Sequence, residues 1–206
     1  MRPVLARRYD RFTAAMEDAW LDDTRAELLR GASGTVVELG AGTGKNLPHL
    51  PAAVERVVLT EPGAAMRDQL RRRVAASDVP FAVEVLDAPA DDVPLPDASA
   101  DTVVSTLVLC SVPDLPAAVA EIRRLLRPGG TVLLIEHVAS EHDRERRWQR
   151  RLDGLWNWIE GSCHLDHDTP AAFRDAGFDV QALDRRHLRE QPPLFRDIVV
   201  GRATPA

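Results

Sequence analysis

Only two cysteines, Cys110 and Cys163, occur in the 206 residues. That is too few for the disulfide framework of a small secreted domain, and their spacing is not that of a zinc knuckle. The expectation is a reducing, cytoplasmic setting. A basic excess is also lacking: 26 Lys and Arg stand against 32 Asp and Glu, for a formal charge of −6. No broad surface is left for a phosphate backbone, and nucleic acid is not an expected partner; the Arg cluster from Arg144 to Arg151 is the one local exception. Nowhere do 18 apolar residues follow one another, and Met1 to Asp10 carries three Arg and no apolar stretch of signal-peptide length. Neither a membrane span nor export is expected. Internal repeats and low-complexity linkers are missing too, so residues 1–206 read as one domain.

What is present is an ordinary globular balance, 45% hydrophobic and 28% charged. Phe12, Met16, Trp20, Leu21, Leu28 and Leu29 recur at helical spacing between Asp10 and Leu29. They predict two amphipathic helices, within a segment 1–32, ahead of the sheet. Thr35 to Leu39, Arg56 to Thr60, Phe81 to Leu86, Thr102 to Val108 and Thr131 to His137 are short β-branched and aliphatic runs, the pattern of strands buried on both faces. Helical fillers at Asn46 to Leu50, Ala64 to Ala76 and Leu115 to Leu126 separate most of them, the last closed by Arg127-Pro128-Gly129-Gly130. This alternation predicts an α/β, Rossmann-like, doubly wound and mostly parallel sheet. After His137 the order changes to a helical insertion at 140–170 with a polar, Arg-rich helix bearing Trp148, Trp156 and Trp158, then another helix near Thr169 to Ala176. Phe178 to Leu183 and Asp197 to Gly201 then form a closing antiparallel hairpin turned at Pro192-Pro193. The expected total is seven strands.

In Glu38-Leu39-Gly40-Ala41-Gly42-Thr43-Gly44 an apolar strand runs into a glycine-rich turn, which lets the backbone approach a ligand where a Cβ would intrude. Its G-x-G-x-G spacing differs from the G-x-G-x-x-G that seats a pyrophosphate on a helix N-terminus. Glu38 beneath the turn would repel phosphates but accept from an ammonium and favour a sulfonium. Glu61, at the end of the next strand and before Pro62, can accept from both hydroxyls of a ribose. The ligand is expected to be a partly cationic nucleoside.

On these residues the sequence resembles the class I S-adenosylmethionine-dependent methyltransferases, and in particular their type 11 domain. Pro94 to Asp101 is similar to that family's segment before strand four, and Leu126 to Gly130 to its turn before strand five. The resemblance implies S-adenosylmethionine as cofactor and S-adenosylhomocysteine as product. It further implies that Glu38, Gly40, Ala41, Gly42 and Gly44 line the methionine part, Glu61 the ribose, Pro62 and Met66 the adenine faces, and Ala90 and Asp91 the adenine edge. Tyr9, Asn46 and Leu107 complete the expected cofactor contacts. One departure stands out: where the family often carries an acid for the adenine amino group, this chain has Pro89, and Asp87 or Asp91 is the candidate replacement.

Three further segments resemble the alkyl thiol S-methyltransferases: Thr106 to Val112, Ile135 to Ala139 and Gly161 to Leu165. They imply a small hydrophobic thiol as acceptor, although the fold equally hosts O-, N- and C-methylation of quinones, phenols, natural products or phospholipid amines, and binding modules without turnover. A thiol with a pKa of about 8.5 is only a few per cent thiolate at neutral pH. A base is therefore sought, and His137 at the end of strand five and His164 are the candidates. The run Cys163-His164-Leu165-Asp166-His167-Asp168 has no metal-ligand frame, and no metal is expected. Trp148, Leu152, Leu155, Trp156 and Ile159 make one apolar stripe, read either as core packing or as a roof over the acceptor, with Tyr9, Phe12, Met16 and Trp20 as a lid. A basic helix bearing Trp can also lie on an anionic membrane, a less favoured use of the same segment.

Overall fold

The computed structural model describes residues 9–160 and 163–206; for Tyr9, Arg11, Phe12 and residues 157–160 the backbone alone is described. Helix α1 (Tyr9–Met16), a π turn (Glu17–Leu21) and α2 (Asp22–Leu29) precede β1 (Gly34–Leu39). There follow β2 (Val54–Thr60), α3 (Ala64–Ala76), β3 (Ala82–Leu86), β4 (Ala100–Thr106), α4 (Leu115–Leu125) and β5 (Leu126–His137). The chain closes with α5 (Asp143–Glu160), α6 (Thr169–Asp175), β6 (Phe178–Asp179), β7 (Leu183–His187) and β8 (Asp197–Pro205). Leu47–His49 is only a 3-10 turn, shorter than the helix expected there.

Strand order is β3-β2-β1-β4-β5-β8-β6, with β7 also paired to β8. The pairs β1·β2, β1·β4, β2·β3 and β4·β5 are parallel; β5·β8, β6·β8 and β7·β8 are antiparallel. Eight strands replace the expected seven because β6 and β7 are two pieces of one edge strand on the same side of β8. Residues 180–182 leave the ladder opposite Arg202 and Ala203, just before Leu183 pairs with Gly201, whose φ is 149° and where a Cβ would run into the Ala182 carbonyl oxygen. Ladder pairing resumes at Leu183, the last residue of the run read from the sequence, and continues to His187.

The central strands explain their own composition. Val36, Val104 and Leu133 point to one face, under α2 and α3, with Leu29 and Leu70. Their neighbours Val37, Val103, Val132 and Leu134 point to the other, against α4 and α6, with Ile122, Leu125 and Phe173. Successive side chains alternate across a strand, so a sheet covered on both faces needs apolar residues at every position. Helix α4 starts where Asp114 accepts from the Ala117 amide at 2.9 Å, and α6 where Asp168 accepts from Ala171 at 3.2 Å. Both follow the cap-then-proline pattern. β1, followed by β2 and β3 on one side, and β4, followed by β5 on the other, mark the point where strand order reverses, and a crevice opens there at their carboxyl ends.

Candidate functional site

That crevice has a volume of about 390 Å³ and is walled by the glycine turn, residues 61–66, 89–91 and 106–108, and Ser111 to Pro113. Gly40 and Gly42 line it with φ of 53° and 59°. A Cβ on Gly40 would stand 2.8 Å from two Val108 methyl carbons, whereas at Gly42 the nearest atom is Met66 Cε at 3.5 Å. Gly42 is thus the residue that leaves the turn open. Gly44 is a packing glycine: it is buried, has a φ of 82°, and its Cβ would meet Leu70 Cδ1 at 2.7 Å. Ala41 is also buried, its N–H donating to the Thr60 carbonyl at 2.7 Å.

Glu61 faces the crevice and ties its parts together. Oε2 accepts from the Gly42 amide at 3.0 Å and Oε1 from the Gly63 amide at 2.7 Å. Burial pushes its carboxyl above the usual range, against the pull of these two bonds. Each oxygen keeps a lone pair for a further donor. Pro62, Met66, Ala90, Asp91 and Leu107 also line the crevice. Of the two acids near Pro89, Asp87 is held bidentately by Arg67, at 2.9 and 2.7 Å, so Asp91 is the one placed in the wall.

Glu38 lies beneath the turn, 3% exposed. Asn46 Nδ2 donates to its Oε1 at 3.0 Å, while Oε2 is buried with no partner among the described residues. Burial raises this carboxyl to about 7, opposed by the Arg25 charge and the Asn46 bond. Asn46 therefore does not reach the crevice: it bridges Glu38, Thr106 Oγ1 at 3.0 Å and the Arg25 guanidinium, itself held by Glu17 at 3.2 Å. Arg25 and Glu17 gave no signal in the sequence, because charged residues on an amphipathic helix usually face water. Asp10 was equally silent; it accepts from Thr43 Oγ1 at 2.6 Å and Arg73 Nη2 at 2.8 Å, joining α1 to the glycine turn.

Leu107 carries a φ of 56° and sits in the crevice wall. A branched side chain in left-handed backbone costs about 1–3 kcal/mol and persists only where its surroundings hold it. Glu136 is the holder: fully buried, it accepts from Ser105 Oγ at 2.6 Å and from the amides of Val108 and Cys110 at 3.1 and 3.3 Å. Burial raises the Glu136 carboxyl above its ordinary value, against these bonds. An acid inside an apolar strand was the available signal for it.

His137 and His164 lie outside the residues lining the crevice, behind the turn Leu109–Ser111. His137 is 5% exposed, with Nε2 2.8 Å from the Leu194 carbonyl oxygen. His164 donates its amide to the Cys110 carbonyl at 2.7 Å, its Nδ1 is 3.4 Å from Asp153 Oδ2, and its ring stacks on His167 at 4.5 Å. The side chains of Tyr9, Phe12, Trp158 and Ile159 lie outside the described residues. Helix α5 divides its apolar stripe: Trp156 packs on Phe195 at 5.0 Å, while Trp148 and Leu155 are 49% and 55% exposed. Core packing therefore does not account for the whole stripe. Away from the crevice, Glu145, His187 and Asp197 bring ligand atoms within 4.8 Å of one another. Glu145 is engaged there by Ser140 and Arg196, and His187 pairs with Asp197 at 3.2 Å. No helix among the described residues is long and apolar enough to cross a membrane.

The pattern of a family described as "Methyltransferase domain" matches residues 37–134. Human thiol S-methyltransferase TMT1B is 35% identical over 177 residues, 84% of this chain and 70% of that protein. Human thiol S-methyltransferase TMT1A is 34% identical over 173 residues, 82% of this chain and 69% of that protein. Among solved structures, a SAM-dependent methyltransferase from Thermotoga maritima superposes with a TM-score of 0.69 at 22% identity, covering 99% of this chain and 98% of the other.

Proposed function

Because this chain belongs to the class I S-adenosylmethionine-dependent methyltransferases, we propose that it transfers a methyl group to the sulfur of a small hydrophobic thiol, leaving S-adenosylhomocysteine. One observation carries the cofactor assignment: the unpartnered carboxylate oxygen of Glu38, buried beneath a glycine turn whose amide is held by Glu61. An ammonium donor satisfies that oxygen, where a phosphate would be repelled. The residues present fit the whole cofactor. Glu38, with Gly40 and Gly42, would hold the amino acid part, Glu61 the ribose hydroxyls, and Pro62, Met66, Ala90 and Asp91 the base.

When bound, the cofactor supplies a methyl group activated by a positively charged sulfur. The chain has three remaining tasks: to align the acceptor, exclude water and accept one proton. Leu107 and Val108, clamped by Glu136, form the rigid wall against which an apolar acceptor is aligned. Of the described residues, 9–32 serve as a lid, in which Asp10 and Arg25 are the anchors to the glycine turn and its strand, and 140–160 with 163–170 as a cap. His137 and His164, the candidates for taking the acceptor proton, lie behind the Leu109–Ser111 turn and do not line the crevice.

The thiol is favoured by the names of the two human relatives and by the three segments of the sequence that resemble thiol S-methyltransferases. A panel of alkyl and aryl thiols, phenols, amines and quinols, read by mass spectrometry, tests it. Methylated thiols are expected; products confined to phenols, amines or ring carbons would transfer the assignment to those acceptors. Glu61→Ala tests the cofactor site independently. Two lost hydroxyl bonds at roughly 1–1.5 kcal/mol each predict a Kd for S-adenosylhomocysteine raised about 30- to 150-fold, with the circular dichroism spectrum unchanged. An unaltered Kd would remove the ribose role.

A further inference from the structure

Away from the crevice, one group of side chains has the composition of a cation site. Glu145 stands in the first turn of α5, His187 ends β7 and Asp197 begins β8. The β7·β8 ladder sets His187 directly opposite Asp197. Helix α5 brings Glu145 to the same place, so that one ligand atom from each of the three lies within 4.8 Å of the other two. The three come from separate elements and form no local motif, which is why only the folded chain assembles them.

His187 Nδ1 and Asp197 Oδ1 are 3.2 Å apart. Two ligands on tetrahedral zinc, with bonds of about 2.0–2.2 Å, stand roughly 3.3–3.6 Å from each other, so this pair is close to the spacing of a shared ion. An ordinary hydrogen bond has the same length, and what sets this pair apart is the other half of the Asp197 carboxyl. Asp197 is 3% exposed, and its Oδ2 is buried with no partner among the described residues. A buried oxygen left in that state is costly until a donor or a cation reaches it. Arg196, the next residue, is turned elsewhere: its Nε donates to the Gln191 carbonyl at 3.0 Å, and its Nη1 is 3.8 Å from Glu145 Oε1, beyond hydrogen-bond length. Glu145 Oε2 accepts from Ser140 Oγ at 3.1 Å, which leaves Oε1 with that distant guanidinium.

We propose that Glu145, His187 and Asp197 bind one divalent transition-metal cation of the zinc class, at a site separate from the methyl-transfer crevice. The imidazole nitrogen selects against Mg²⁺ and Ca²⁺, which take oxygen ligands, and favours zinc and its neighbours. His187 binds through Nδ1 with its ring proton on Nε2, the ion taking the place of the hydrogen shared with Asp197. Glu145 closes onto the other two, and water fills the fourth position. The role is structural. The ion fastens the first turn of α5 to the end of the β7·β8 ladder. Phe195, two residues before Asp197, packs on Trp156 of α5 at 5.0 Å and on His137 at 5.4 Å, so fixing the start of β8 also fixes the aromatic contact on which α5 rests.

The test uses the untagged full chain, treated with EDTA and dialysed, and needs neither methyl donor nor acceptor. Isothermal titration with Zn²⁺ should show one ion per chain, and Zn²⁺ at a hundred times its Kd should raise Tm by roughly 5–10 °C. Mg²⁺ at the same concentrations should do neither. His187→Ala, at an exposed position, should raise the Kd for Zn²⁺ at least about tenfold, and Asp197→Asn should do the same. In the unmodified chain, paramagnetic Co²⁺ in place of Zn²⁺ should broaden the NMR signals of Glu145, His187 and Asp197 first, and next those of His142, whose ring meets His187 at 5.2 Å. Absence of Zn²⁺ binding, equal binding of Mg²⁺, a Kd unmoved by His187→Ala, or broadening centred on Cys163, His164 and His167 would each overturn the proposal. The Co²⁺ measurement decides it even where a variant fails to fold.

Discussion

At the scale of the single residue, Glu38 combines two demands that pull against each other. Binding a cation requires its carboxylate, but burial makes the charged form costly and raises the carboxyl from 4.5 to about 7. In the ligand-free protein the folded state therefore binds a proton that the unfolded chain has lost between pH 4.5 and 7, so this group's effect is to lower stability as pH rises through that window. Affinity moves the other way. The Kd for S-adenosylhomocysteine should fall as pH rises toward 7 and level off above it, as isothermal titration across pH 5.5 to 8.5 would show. Glu38→Gln should flatten that profile and weaken binding. At pH 8 the same change should stabilise the ligand-free protein, by roughly 1–3 kcal/mol in urea denaturation, since it removes a buried charge. A variant that is less stable and retains the pH profile would contradict both statements.

At the scale of the element, the N-terminal helices are joined to the site by charge as well as by apolar packing. Arg25 on α2 reaches Glu17 and Asn46, and Glu17 and Arg25 have side chains only 7% and 8% exposed. Breaking a buried pair leaves its partner charged and unpaired, at a cost of about 3–5 kcal/mol. Arg25→Ala should lower the unfolding free energy from urea denaturation by about that much and, because Asn46 loses its anchor, weaken cofactor binding as well; a change below about 1 kcal/mol would mean that the helices are held by packing alone. Helix α6 makes the opposite case. Its Phe173 is fully buried and meets Phe178 at 4.9 Å. Phe173→Ala should cost about 3–5 kcal/mol by calorimetry through the cavity it leaves.

At the scale of the whole molecule, the crevice is assembled from segments that lie along 40–113 of the chain, so a ligand there stabilises much of the fold at once. S-adenosylhomocysteine at a hundred times its Kd should add about 2.7 kcal/mol and raise Tm by roughly 5–10 °C in a chain of this size. Differential scanning fluorimetry with an adenosine control reads the shift, and no shift would mean that the crevice does not hold the cofactor. The eight-part sheet follows the same logic. Seven ladders suffice for the topology, and the extra break between β6 and β7 is a local response to the tight approach of Gly201 to Ala182.

Patterns that repeat locally were legible in the sequence. Apolar runs placed β1 to β5 in their order, the Gly40 to Gly44 turn located the crevice, and Glu61 identified the acid at the next strand end, because strand burial and turn geometry depend on neighbours within a few residues. The residues decided only by tertiary structure are those whose partner is distant in sequence. Gly44 faces Leu70 instead of the crevice, Asn46 bridges to Arg25, and Asp91 stands in the wall because Arg67 has taken Asp87. Leu107 is strained because Glu136 holds its loop from the next strand, and His137 meets the Leu194 carbonyl only because the end of β5 and the turn after β7 come together. Sequence determines which chemistry a side chain can offer; the folded chain decides which groups are left to receive it.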